Sequence, residues 1–277
     1  MVAKDRLLSL TLIGALFAAS SSVGAQNVDS IRKSYQLPVP NIARHHPGFR
    51  ATPGTTVQSP TAYGPDWGEG YLGAGFQSRM RYVKDLPRSK QMDGAVMASF
   101  GLGDARRYFG LEAVITSFST VRSGFGNHSS MSFKIHRLLP NNFAVAAGWE
   151  DAIKTKGTDG GTSGYAVVSN YYKRLTMSAG IGGGRFKTET AIAEDRKTVN
   201  AFGSVGYQLA SPISVIADWA GQDLALGASF VPLKRLPIYI EPAFVDLTGS
   251  AGDGARFVLG VGLGFTYKQL DAIFGTH

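Results

Sequence analysis

The residue of this chain best suited to acid–base chemistry is a histidine in a polar row. His136 follows Ser130, Ser132 and Lys134 at every second position, so in an extended strand the four side chains share one face. A histidine placed in this way can act as a base near neutral pH. Such histidines more often only hydrogen-bond within an interior polar network, and we adopt that interpretation.

Other reactive chemistries find little support in the sequence. The chain contains no cysteine, which excludes thiol nucleophiles, thiolate metal sites and disulfides. His45 and His46 are adjacent, but no carboxylate stands at a ligand spacing from them. We accordingly predict no catalytic residue, no metal and no cofactor.

A set of charged side chains that fall among small residues at alternate positions is more informative. Together with His136, these residues are the candidates to line an interior: Arg79, Arg81, Glu112, Lys134, Glu150, Asp218, Glu241 and Arg256. Charged side chains are costly in lipid, so the face that they share must be wet or polar. Two roles remain open for them. They form either a lining that attracts a charged or sugar-like solute, or a mutually paired network that fills the interior.

The composition of the chain limits the elements that can carry these residues. It has 277 residues, of which 35 are glycine and 17% are charged, and its formal net charge is +8. So few charges with so much glycine exclude an intrinsically disordered chain and a coiled coil. No nucleic-acid-binding motif accompanies the positive charge, so we expect no nucleic-acid partner.

From residue 70 onward, apolar residues occupy every second position in short segments, which is the pattern of half-buried strands. The twelve predicted strands span 70–82, 93–102, 108–118, 129–138, 142–151, 164–173, 175–186, 198–209, 212–220, 222–231, 236–247 and 255–268. Long connections alternate with short ones for most of the chain, as in an antiparallel transmembrane β-barrel with loops on one rim and tight turns on the other. A soluble β-sandwich is the alternative that alternation by itself leaves open.

The two faces of the predicted strands differ in kind. Phe143, Val145 and Trp149 share one face of their segment, and alanine, glycine and glutamate occupy the other. A barrel in lipid turns the bulky face outward. Aromatic residues of outward parity then fall near both rims, as membrane interfaces favour. They are Tyr171, Tyr207, Phe230, Phe265 and Tyr267 on one rim and Trp149, Trp219 and Phe257 on the other.

The ends of the chain lie outside this pattern. Residues 1–25 have the basic start, apolar run and small-residue cleavage site of a signal peptide. Residues 26–69 hold half of the chain's twelve prolines and lack periodicity, so we expect an irregular arm in the periplasm or in the lumen. The predicted barrel is then 70–268, followed by a tail at 269–277.

In these features the chain resembles bacterial outer-membrane β-barrel proteins over residues 70–268. Gly262-x-x-Phe265-x-Tyr267 is similar to the C-terminal signal that such proteins present to the barrel-assembly machinery. The resemblance implies an outer-membrane location and contact with its lipid and lipopolysaccharide. Residues 59–68 and 217–224 are also similar to an uncharacterised group of predicted barrels in Gram-negative and cyanobacterial genomes, which names no activity.

A second resemblance concerns catalysis. Some twelve-stranded outer-membrane phospholipases carry His-x-Ser with an asparagine twelve residues after the serine, and His128, Ser130 and Asn142 match that spacing. However, Asn142 follows the Pro140 turn, one strand of roughly 10 residues away, which is about 30 Å. A catalytic triad could not close across that distance, so we do not expect an enzyme.

The sequence therefore predicts a channel or secretion pore for a polar or anionic solute. A closed barrel that binds surface polysaccharide or a partner is the alternative, and a lipid-modifying enzyme ranks below both.

Overall fold

The chain forms one closed β-barrel in the computed structural model, which describes residues 52–118, 120–121, 128–155, 161–233, 238–252 and 254–267. All twelve predicted strands are present, so the all-β fold is confirmed. The strands are β1 Glu69–Gln77, β2 Asp93–Gly103, β3 Gly110–Phe118, β4 His128–Leu138, β5 Phe143–Lys154, β6 Ser163–Tyr172, β7 Leu175–Gly182, β8 Asn200–Ala210, β9 Ile213–Trp219, β10 Leu224–Phe230, β11 Ile238–Val245 and β12 Arg256–Thr266. A short helix, α1 (Glu189–Ala193), lies between β7 and β8.

Each strand pairs antiparallel with its neighbours in sequence, and the barrel closes where β1 pairs with β12. This seam runs from Glu69 opposite Thr266 to Gln77 opposite Val258. Closure leaves no strand edge unpaired, which is the condition for a sheet to survive in lipid.

The faces of the barrel carry opposite chemistry. Bulky apolar residues such as Leu72, Ile135 and Val205 project outward and are exposed. The inward positions of the same wall carry small polar residues that are buried, namely Ser99, Ser169, Ser178, Ser204, Ser214 and Ser229. A soluble sandwich would hide its bulky face instead, so this arrangement excludes the sandwich.

The connections define two rims. We call the end with the connections 104–109, 139–142, 173–174, 211–212 and 231–237 the short-turn rim, and the opposite end the long-loop rim. The long-loop rim carries 78–92, 119–127, 155–162, 183–199 and 246–255, with 220–223 as its one tight connection. Long and short connections therefore alternate as predicted.

One aromatic residue lies on the other face from that predicted. Tyr171 belongs with Tyr165 and Val167 on the inner face of β6, where it packs against buried apolar residues. The outward aromatic at this end is its neighbour Tyr172, which is 61% exposed. Across the described residues, no helix is both long and apolar enough to span a membrane.

Candidate functional site

The described residues before β1 lie in the interior of the barrel. We call residues 52–68 the arm and its turn at residues 56–59 the apex. Val57, Ser59 and Ala62 of the arm are completely inaccessible to solvent. Pro53, Pro60 and Pro65 lack N–H groups, which suits an irregular segment rather than an added strand. Its buried main-chain groups must therefore find partners among the side chains of the wall.

A single carboxylate on β9 holds the apex. Oδ2 of Asp218 accepts hydrogen bonds from three consecutive main-chain N–H groups, those of Val57 at 2.8 Å, Gln58 at 2.8 Å and Ser59 at 2.9 Å. The Thr56 hydroxyl donates to the same oxygen at 2.5 Å, and the Ser59 hydroxyl donates to Oδ1 at 2.5 Å. Successive N–H groups converging on an anion form a strong, charge-assisted contact. The buried charge of Asp218 is thereby compensated, and the apex is fixed in place.

From the apex, one leg of the arm descends toward β1. Ala62 N–H donates to Ser169 Oγ at 2.8 Å, and Lys134 Nζ donates to the carbonyl of Tyr63 at 2.7 Å. The Tyr63 hydroxyl donates to the carbonyl of Asn142 at 2.7 Å, which lies in a connection of the short-turn rim. This leg therefore reaches that rim before the chain enters β1.

The other leg returns to the same rim. Gly54 N–H donates to Ser229 Oγ at 2.7 Å, and Ser214 Oγ donates to the carbonyl of Gly54 at 2.5 Å. Ser214 stands at the start of β9 and Ser229 at the end of β10, so Gly54 lies near the short-turn rim. The arm is thus a loop inserted from that rim, with its apex toward the long loops.

Residues of the long-loop rim cover the apex from above. Arg185 Nη2 donates to the carbonyl of Gln58 at 2.9 Å and to Glu150 Oε1 at 2.9 Å. Gln222 Nε2 in turn donates to the carbonyl of Arg185 at 3.1 Å. Burial acts to lower the pKa of Arg185, but Glu150 outweighs it, and the pKa is raised. Arg185 therefore stays charged between Glu150 and the arm.

A second ion group stands beside this cover. Arg256 Nη1 lies 3.8 Å from Asp246 Oδ2, and Arg81 Nη1 lies 3.4 Å from Glu189 Oε1. Arg79 donates to the carbonyl of Gly254 at 3.0 Å. Burial lowers the pKa of Arg81, in spite of the acidic groups around it. This group ties the loop after β1 to the loops before β8 and β12.

Two of these arginines do not belong to a strand. Arg79 and Arg81 were assigned by alternation to a strand over 70–82, but β1 ends at Gln77. Beyond it the chain bends into the loop, where Met80 N–H bonds to the carbonyl of Gln91. Both guanidinium groups therefore lie at the long-loop rim rather than along the lumen wall.

The middle of the lumen holds an ion pair beside the descending leg. Lys134 Nζ lies 2.6 Å from Glu112 Oε2, and the Ser99 hydroxyl donates to Glu112 Oε1 at 2.8 Å. His136 is 1% exposed, and its Nε2 lies 3.5 Å from Asp66 Oδ1 of the arm. Lys134 pairs with Glu112 and also bonds to the carbonyl of Tyr63, so the arm and the wall form one network.

Two predicted wall residues face glycines of the arm. A Cβ on Gly54 would overlap the carboxylate of Glu241, and a Cβ on Gly64 would lie 2.8 Å from Cε1 of His136. The main chain of the arm approaches the wall closely only because these two positions carry no side chain.

Apolar contacts add to the polar ones. Val57 packs against Ile216, Val245 and Val258 of the wall. Ala62 and Tyr63 belong to a second cluster with Val167, Phe186 and Phe202, in which the two phenylalanine rings stack at 4.5 Å. A barrel whose outer face is apolar can bury a core only inside its lumen, and the arm supplies part of that core.

The candidate catalytic residues remain apart. His128 begins β4 at the long-loop rim, and Asn142 lies in a connection of the opposite rim. The Ser130 hydroxyl donates to Asp151 Oδ1 at 2.6 Å rather than to a histidine. Within the described ranges no group of three or more acidic or histidine side chains could hold a metal ion. His45 and His46 lie outside the described residues.

Sequence reasoning missed the contact between the arm and Asp218. It treated residues 59–68 and 217–224 as separate stretches of one resemblance. The structure joins them, since Ser59 bonds both to Asp218 and, at 3.1 Å, to the carbonyl of Trp219. Strand periodicity contains no signal for this contact.

Comparisons with known proteins do not assign the chain to a family. No family model and no curated protein matches the chain. Among solved structures, the chain is similar to one described as the NanC porin in a rhombohedral crystal form. The TM-score is 0.42 at 12% identity, covering 71% of this chain and 99% of the porin chain.

Proposed function

We propose that this protein is an outer-membrane channel for polar solutes that its own arm closes. The observation that carries the proposal is the set of hydrogen bonds between Asp218 and the apex. This contact is polar and local, and it holds a loop inside a tube whose inner wall is also polar. The channel opens when the arm withdraws toward the short-turn rim. That rim faces the periplasm, since tight turns lie on that side in outer-membrane barrels.

The outer surface supports a location in lipid. Exposed apolar side chains project from the strands around the barrel, for example Leu111, Val168, Val215, Leu226 and Phe244. A continuous apolar surface of this kind is rare on soluble monomers. Strands such as β1 and β2, with 9 and 11 residues, also have the length that a tilted strand needs to cross a bilayer.

The inner wall supports a channel over a permanently filled barrel. Six buried serines stand on the inner face of the wall, and two of them, Ser169 and Ser178 on the neighbouring strands β6 and β7, bond to one another at 2.8 Å. An interior that never meets water is at least as stable when it is apolar. A polar wall becomes useful when the arm leaves, because water can then fill the lumen.

The charges of the wall favour a cation or a neutral polar solute. The strands contribute carboxylates at Glu112, Glu150, Asp218 and Glu241 against cations at Lys134 and Arg256. Arg185 of the long-loop rim adds a third cation beside Glu150, which still leaves more carboxylates than cations. An excess of carboxylates raises the local concentration of cations once the lumen is open. The anion preference suggested by the net charge of the whole chain is therefore not what we propose for the pore.

The second candidate is a closed barrel that binds a partner through its loops. The packing of Tyr63 against the cluster with Phe186 and Phe202 favours it, because apolar packing inside a lumen opposes withdrawal of the arm. On this alternative the arm never leaves.

Conductance of the full-length protein in planar bilayers tests whether the lumen conducts once the arm is displaced, as the channel requires. We expect silence from the wild type and discrete steps from Asp218→Ala and from Val57→Asp, which places a carboxylate in the apolar contact of the apex. Asp85→Ala and Val121→Asp, at exposed positions, are the matched controls and should stay silent.

A cysteine introduced as Ala62→Cys reports on the arm independently, because the chain has no other cysteine. Rapid maleimide labelling of this cysteine shows that the arm has left the lumen. Silent variants with a labelled arm would refute the channel. An Ala62→Cys cysteine that stays unlabelled in otherwise wild-type protein would favour the closed barrel, in which the arm never leaves.

A further inference from the structure

We infer that the lumen wall is a binding site for a polypeptide main chain that turns at Asp218, and that the solute of this channel is a peptide. The inference rests on the proposed function, because it treats the arm as a tethered occupant of the path that the solute takes.

The wall supplies partners for both groups of a peptide unit. For N–H groups it offers acceptors at Asp218, Ser169 and Ser229. For carbonyls it offers donors at Lys134, Arg185 and Ser214. These six side chains come from four strands and one loop, and they follow the arm along both of its legs.

All six of these contacts involve the main chain of the arm. Main-chain recognition gives affinity without demanding a sequence, and neighbouring side-chain contacts then set the specificity. The side-chain requirements of this site are few. They are small residues where Gly54 and Gly64 approach Glu241 and His136, and hydroxyls where Thr56 and Ser59 reach Asp218. An apolar side chain is also required at Val57, which packs against the wall.

The geometry at Asp218 favours a peptide over a carbohydrate. Three N–H groups from consecutive residues reach one carboxylate oxygen at 2.8 to 2.9 Å. A turn of polypeptide presents such a row of donors in a fixed arrangement. A sugar offers hydroxyls that rotate and that also accept hydrogen bonds, so it does not reproduce the row.

The test uses full-length Val57→Asp protein, in which the arm is displaced and the wall is unchanged. The first probe is a fluorescent synthetic peptide with the sequence of residues 52–66. The second is a peptide of unrelated sequence that keeps only the two glycines, the two hydroxyls, the valine equivalent to Val57 and the spacing between them. Fluorescence anisotropy in detergent measures binding, and block of the single-channel current measures occupancy of the path.

Two further probes serve as controls. In one, ester oxygens replace the N–H groups of the positions equivalent to Val57, Gln58 and Ser59, which keeps the shape of the peptide and removes the donors. The other is a neutral, unbranched glucose oligosaccharide of similar length. Lost charge-assisted hydrogen bonds should weaken binding of the ester peptide by at least about a hundredfold.

We expect both amide peptides to bind within about tenfold of each other and to block the current, and the oligosaccharide to do neither. Equal binding of the ester and amide peptides, or stronger block by the oligosaccharide, would overturn the inference while leaving a conducting channel. Absence of current in Val57→Asp with a labelled arm would instead refute the proposed function. The anisotropy measurement would still report on peptide binding.

Discussion

Asp218 and Ser59 clamp each other through two separate contacts. The Ser59 N–H lies 2.9 Å from one carboxylate oxygen of Asp218, and the Ser59 hydroxyl lies 2.5 Å from the other. A residue ahead of the first strand is thereby fixed to a residue near the end of the ninth. Because both oxygens of the carboxylate are engaged, neither the side chain nor the apex can turn without breaking a bond.

Removing the charge of Asp218 should release the apex. In Asp218→Asn the side chain has the same shape, but one acceptor oxygen becomes an NH2 group that faces donors. We expect the loss of charge-assisted bonds to destabilise the docked arm by about 1.5–3 kcal/mol. Maleimide labelling of Ala62→Cys measures this as a faster rate. Asp85→Asn makes the same charge change in an exposed loop and should leave the rate unaltered, so equal acceleration by both variants would contradict the assignment.

Adding one methyl group at Gly54 should displace the leg of the arm that contains this residue. In Gly54→Ala the new Cβ overlaps the Glu241 carboxylate, and overpacking of this kind costs about 1–3 kcal/mol. We expect a lower thermal unfolding midpoint and faster labelling of Ala62→Cys. Gly164→Ala is the control, because no heavy atom lies within 4 Å of its added Cβ. Rescue by Glu241→Ala would identify the overlap as the cause, and a failure of rescue would speak against it.

The ion pair of the middle lumen should show strong coupling. Lys134→Met leaves the carboxylate of Glu112 buried beside Ser99 without its cation, and broken buried pairs typically cost about 3–5 kcal/mol. Glu112→Gln in the same protein should restore much of that loss. A double-mutant cycle on chemical unfolding measures the coupling, and additive effects of the two changes would show that the pair contributes nothing.

A disulfide between arm and wall should lock the channel shut. The Cβ of a residue at Gly227 would lie 3.0 Å from Cγ2 of Val57, roughly the Cβ-to-sulfur separation that an S–S bond of about 2.05 Å produces. Because that Cβ would also lie 2.9 Å from Cβ of Ala243, Ala243→Gly accompanies Val57→Cys and Gly227→Cys.

The lock is tested in the Asp218→Ala background by measuring conductance under oxidising and reducing conditions. We expect silence when oxidised and steps when reduced. Either cysteine alone is the control and should conduct in both states. Conductance through the oxidised double-cysteine protein would mean that solutes pass a docked arm.

The fold was predictable from the sequence because its signals are local. Alternation of bulky and small residues is a property of each strand, and the long and short connections order the strands into a barrel. The extent of a strand depends on its partners, however. Arg79 and Arg81 continue the alternation past Gln77, but the regular ladder with β2 and β12 runs only to that residue. Beyond it Ser78 N–H still bonds to the carbonyl of Phe257, and the chain then turns into the loop.

The candidate site was predictable only in part. The alternation of inward and outward positions along each strand predicts Glu112, Lys134 and Asp218 on the inner face, where the structure also has them. The same rule misplaced Tyr171. It also could not pair Asp218 with the apex, because a contact between residues 159 or more positions apart leaves no trace in local periodicity.

The path of the arm also has a consequence for the order of folding. The arm precedes every strand, yet the partners of Gly54 and of the apex lie on β9 and β10, about 160 to 175 residues later. Contacts of such separation form late, since the intervening chain must first be organised. Because both legs of the arm leave by one rim, no chain end has to be threaded through the closed barrel. Refolding should therefore show two kinetic phases, a first in which the strands close and a slower one in which the loop enters the finished tube.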